Sequence, residues 1–126
     1  MDIVSLLRLL VNGLIEAEAN FFSNPKDLYS LEKATKATTD AVAAQFMSVV
    51  LSSLDEKIRN SGIRNERYNV QRIRKRTLVS SVGDLTFDCT LYRRKGLAKG
   101  GYVSLLSQML DWTNMNALRK KPKYYC

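Results

Sequence analysis

Seven cationic side chains stand out in this chain as two groups: Arg72, Arg74, Lys75 and Arg76, then Arg93, Arg94 and Lys95. Guanidinium and ammonium groups gathered this closely suit a polyanion, and the DNA backbone is the polyanion they fit best. The residues between the groups alternate in polarity on either side of Val82-Gly83-Asp84. An alternating run, a turn and a second alternating run predict a β-hairpin, which would bring the two basic ends onto a common surface. The expected contacts are with phosphates, because no motif here specifies a base sequence. Tyr68 and Tyr92 are candidates for stacking on the bases of a single strand, or for a partly buried contact within the hairpin. The arginines also have a second reading, as charges that keep an exposed strand from pairing with its neighbours.

Other chemistries are excluded or weak. The chain has no histidine, so a Ser-His or Cys-His pair cannot form within it. Its two cysteines, Cys89 and Cys126, make neither a disulfide framework nor, without histidine, a zinc site. Cys89 is expected to be a small buried thiol in a strand, and Cys126 to be free. Carboxylates alone can hold catalytic metals, but residues 57–126 contain only four: Glu66, Asp84, Asp88 and Asp111. No catalytic centre, cofactor or metal is expected. The apolar run of residues 3–15 is interrupted by Arg8 and Asn12 and is too short to span a bilayer. Asp2 stands where a signal peptide would carry a basic residue. A cytoplasmic protein without a membrane partner is the expectation.

Charge is divided unevenly along the chain. Residues 1–56 hold 4 basic and 8 acidic side chains, while residues 57–126 hold 16 and 4, so the net charge of +8 belongs to the second part. Such a division favours a binding face over general solubility.

The elements that must position the basic groups follow from periodicity. Ile3, Leu6, Leu7, Leu10, Leu14 and Ala17 have helical spacing over residues 2–20, with Asp2 as cap and Pro25 beyond the end. A short helix is predicted over residues 27–34. A third, over residues 39–60, carries Val42, Phe46, Val49, Val50, Leu54 and Ile58, with Ser61-Gly62 as its stop. These stripes make either a small core or a dimer interface. In the first strand of the hairpin, residues 68–80, Arg72, Arg74 and Arg76 face one way, with Ile73, Thr77 and Val79 on the other side. In the return strand Leu85, Phe87, Cys89 and Leu91 oppose Thr86, Asp88, Thr90 and Tyr92. A flexible loop at residues 96–101 and a short helix at residues 104–110 follow. The predicted class is α+β: helices over residues 1–62, then the basic hairpin and short helix over residues 63–110, then an irregular tail over residues 111–126.

The run Arg72-Ile73-Arg74-Lys75-Arg76-Thr77-Leu78-Val79-Ser80-Ser81-Val82-Gly83-Asp84-Leu85-Thr86-Phe87, with Thr90-Leu91-Tyr92-Arg93-Arg94-Lys95, resembles the N-terminal region of ISLre-type insertion-sequence transposases. Tyr102-Val103-Ser104-Leu105-Leu106 and Leu54-Asp55-Glu56-Lys57-Ile58-Arg59 extend the likeness over about residues 1–110. The resemblance implies a DNA-binding or assembly region of a transposase, with the catalytic part lying beyond it. After Leu110 the family's usual Gly-Leu-Asp-Lys-His is replaced by Asp111-Trp112-Thr113-Asn114-Met115. Loss of one guanine from a suitable set of codons would produce that change, so residues 111–126 are expected to be out of frame. The alternative expectation is a small interaction protein, dimeric through its N-terminal helices, whose hairpin does not bind DNA.

Overall fold

The computed structural model describes residues 2–96 and 102–110. Expectations for the loop after Gly96, for the tail and for Cys126 lie outside the described residues. The fold is α+β, with α1 (Ile3–Ser23), α2 (Leu28–Arg59) and α3 (Gly62–Arg67) preceding β1 (Tyr68–Ser80), β2 (Gly83–Arg94), β3 (Tyr102–Val103) and α4 (Leu105–Met109). The chain divides into two compact units, the first running to Met47 and the second beginning at Ser48. Among the described residues no helix is long and apolar enough to cross a membrane.

In the first unit, Asp2 caps α1 by accepting from the Ser5 N–H at 2.8 Å. Asp27 does the same for α2, accepting from the Ser30 N–H at 3.0 Å. Hydrogen bonds from the Ser5 amide and hydroxyl hold the Asp2 carboxyl below its ordinary range, and those from the Ser30 hydroxyl, at 2.6 Å, and then its amide do the same for Asp27. Leu6 and Ala17 are buried on one side of α1. Gly13 lies so close to Thr38 on α2 that an added Cβ would collide with the threonine methyl.

The short helix and the long helix expected from periodicity are one continuous helix, α2. Residues 35–38 break the apolar pattern but not the backbone. Neither glycine nor proline occurs in Leu28–Arg59, so nothing in this stretch removes a backbone hydrogen bond of the helix. Thr35 Oγ1 donates to the Leu31 carbonyl at 2.8 Å, Thr39 Oγ1 donates to the Thr35 carbonyl at 3.0 Å, and Lys36 pairs with Asp40 one turn on. Helix α3 was not anticipated. Ser61 ends α2 and caps α3, its hydroxyl accepting from the Arg64 N–H at 3.3 Å.

In the second unit the sheet order is β1-β2-β3, antiparallel throughout. The predicted turn is displaced by one residue. Ser80 and Gly83 are paired, so the reversal is made by Ser81-Val82 and Gly83 opens the return strand. No described non-glycine residue has positive φ, so the mirror-image turns are excluded and the positive φ falls on Gly83, at 122°. Among the described residues of the second unit, the buried ones are Asp55, Ile58, Leu78, Leu85, Phe87, Cys89 through Tyr92, Ser104 and Leu106. Cys89 is buried as expected, but it is not a free thiol.

Candidate nucleic-acid interface

The geometry of the arginine face comes from the β1–β2 register. Arg72 pairs with Leu91, Arg74 with Cys89 and Arg76 with Phe87. Directly paired residues of an antiparallel ladder share a face. The three arginines therefore rise from the same side as the apolar set of β2. Arg93 follows Leu91 by two residues and joins that side, as does Tyr102, which pairs with Arg93. Lys75 pairs with Asp88 and Arg94 with Tyr68, which puts both on the opposite face. Lys95 lies past the end of β2, where its N–H donates to the Arg67 carbonyl at 2.8 Å. Of the seven cations selected from the sequence, four are brought together: Arg72, Arg74, Arg76 and Arg93.

A β-bulge makes this partition. The register shifts between Val70 and Arg72, with Gln71 as the extra residue. Without it, Tyr68 and Val70 would share the side of Arg72. With it, they turn to the side of Thr90 and Tyr92. Tyr68 then meets Tyr92 edge-on at 6.4 Å between centroids. Tyr92 is fully buried, so it is a core residue and not a stacking platform for bases. Burial raises its phenol above the ordinary value, and the nearby Asp55 carboxylate adds to the effect. The exposed aromatic of the arginine face is Tyr102, at 59%. It lines a depression of about 250 Å³ with Gln71, Arg72 and Leu91.

The electrostatics of the face are those of a surface lacking its counter-charge. Among the described residues the ion pairs are Lys36–Asp40, Arg59–Asp55 and Lys75–Asp88. None involves the four arginines. Desolvation, and then the charges of Arg76 and Arg72, lower the pKa of the Arg74 guanidinium. Arg76 Nε and Arg93 Nε are buried without a hydrogen-bond partner. Unsatisfied buried donors are rare in folded proteins and call for an acceptor. Lys75, by contrast, has one: its Nζ lies 2.6 Å from Asp88 Oδ1.

What holds the face in place was not read from the sequence. The outer edge of β2 is closed by side chains of α2 in the second unit. Ser48 Oγ accepts from the Thr86 N–H at 3.1 Å, Ser52 Oγ from the Asp88 N–H at 2.9 Å, and Asp55 Oδ1 from the Thr90 N–H at 3.0 Å. Positions i, i+4 and i+7 of the helix thus match alternate amides of the strand and stand in for a missing neighbour. Asp55 Oδ2 also accepts from Thr90 Oγ1 at 2.6 Å and from Arg59 at 3.1 Å. The available signal was Asp55 set between Leu54 and Ile58 in an otherwise apolar stripe.

The model of an uncharacterised protein family, UPF0236, matches residues 22–123, and the chain belongs to that family. No curated protein and no solved structure matches it. The family match runs past Leu110 and gives the out-of-frame reading of the tail no support.

Proposed function

We propose that the chain is a DNA-binding region of a transposase-like protein, acting in the cytoplasm, and that the sheet face of Arg72, Arg74, Arg76 and Arg93 grips the phosphate backbone. The observation that carries this reading is the four-arginine face, which has no carboxylate partner among the described residues. A phosphate supplies the missing counter-charge and relieves the mutual repulsion of Arg72, Arg74 and Arg76. Tyr102, exposed beside Arg72, offers a flat surface to a sugar or a base. The transposase part of the proposal rests on the motif resemblance of residues 72–95. No catalytic step is assigned to this chain.

The test is duplex-DNA binding by the full chain across a salt series. Log affinity should fall linearly with log salt. Replacing Arg72, Arg74 and Arg76 together by alanine should reduce the slope by about 2.7, at about 0.9 for each phosphate no longer neutralised. Alanine at Lys75, whose charge is paired on the opposite face, should leave the slope nearly unchanged. Absence of binding at low salt, or a slope indifferent to the arginines, refutes the proposal and leaves an interaction protein whose hairpin is merely solvated.

A further inference from the structure

Helix α1 has a second apolar stripe, opposite to the one it uses within its own unit. Leu6, Gly13 and Ala17 lie on the side that meets α2. Val4, Leu7, Val11 and Leu14 follow one another at spacings of three, four and three residues, with Ile15 and Phe22 on the same side. All six are exposed, from 37% at Leu14 to 69% at Phe22. Three-four alternation is the pattern of a helix–helix seam. In the middle of this seam stands Glu18, and at its margin Arg8, both exposed and neither in an ion pair among the described residues.

We propose that this stripe pairs with the same stripe of a second copy of the chain, antiparallel about a two-fold axis level with Gly13. Two features argue for a second copy. The first is charge complementarity with itself. An antiparallel pairing about Gly13 sets Arg8 of each copy against Glu18 of the other, while Val4 meets Phe22 and Val11 meets Ile15. A parallel pairing in register would instead set Glu18 against Glu18 within the seam, which is unfavourable. The second is area. With Ile3 included, the exposed parts of these side chains amount to roughly 700 Å² per copy, close to the ~800 Å² per partner of a standard interface. A two-fold contact uses one patch on both copies, as this stripe does.

Sedimentation equilibrium of the full chain tests this independently of DNA. The expected particle is a dimer of the 14.3 kDa chain. Val11→Asp should give a monomer whose helical circular dichroism is retained. Arg8→Glu alone and Glu18→Arg alone should each weaken dimerisation about fivefold, and the two together should restore it. A monomeric wild-type chain, a higher oligomer, or a dimer indifferent to Val11→Asp overturns the proposal. So does a double charge reversal no tighter than the weaker single one. If Val11→Asp unfolds the chain, the exposed charge pair alone decides between these outcomes.

Discussion

Asp55→Ala should be among the most damaging single substitutions in the second unit. The Asp55 carboxylate is 0% exposed and accepts three hydrogen bonds, from the Thr90 amide, the Thr90 hydroxyl and Arg59. An exposed ion pair contributes about 0–1 kcal/mol, whereas breaking a buried one costs about 3–5 kcal/mol because the remaining charge has no partner. The burial of Asp55 puts it in the second regime. Arg59 softens the loss, since its side chain is 21% exposed and its Nη1 still donates to Thr90 Oγ1 at 2.9 Å. The expected cost is therefore about 3 kcal/mol, at the lower end of the buried range. That is a large share of the ~5–15 kcal/mol that holds a typical domain together. At about 4–8 °C per kcal/mol for a unit of this size, the melting temperature should fall by about 12–24 °C. Asp55→Asn, which keeps an acceptor for the Thr90 amide, should cost about half as much. Denaturant titration measures these values, and hydrogen exchange should show protection lost first at Thr90. A loss below about 1 kcal/mol for Asp55→Ala, with unchanged denaturant slope, would refute the claim that α2 clamps the strand edge.

Ser52→Ala leaves the Asp88 amide without its acceptor, and should cost about 1 kcal/mol and speed exchange at that amide, read by residue-resolved hydrogen exchange. Gly13→Ala improves helix propensity by about 1 kcal/mol but drives a methyl into Thr38, so the first unit should lose stability on balance, and adding Thr38→Ala should recover it, both followed by thermal melts. Tyr92→Phe removes a buried hydroxyl that makes no well-formed hydrogen bond, its nearest polar neighbour being Thr90, so its denaturation midpoint should match or exceed that of the wild type. Tyr92 has a folded pKa above its ordinary value of 10.0. Its contribution is thus complete below that pH and is lost as pH rises toward the folded value, so ultraviolet titration should find one tyrosine ionising late and stability falling with it.

Local sequence determined the elements wherever the deciding interactions are a turn or a strand spacing apart. Apolar periodicity and the carboxylate at Asp2 set the start of α1, Ser61-Gly62 ended α2, and strict alternation in residues 85–92 marked β2. The first strand was blurred for a physical reason. Gln71 is an extra residue in β1, and a bulge has no local signature when its sequence remains compatible with extended backbone. Only pairing with β2 decided that Arg72, Arg74 and Arg76 would share a face with Arg93 while Lys75 and Arg94 turned away. Likewise, nothing near Ser48, Ser52 or Asp55 specifies that their partners lie 35 to 38 residues further on. Those bonds exist because β2 would otherwise present bare amides along its outer edge, a demand that arises only once the sheet has formed. The number and sign of the charges were written in the chain. Which cations of the return strand share the side of Arg72, Arg74 and Arg76, and the helix side chains that close the edge of β2, belong to the tertiary structure, because both depend on contacts between segments that the backbone must first bring together.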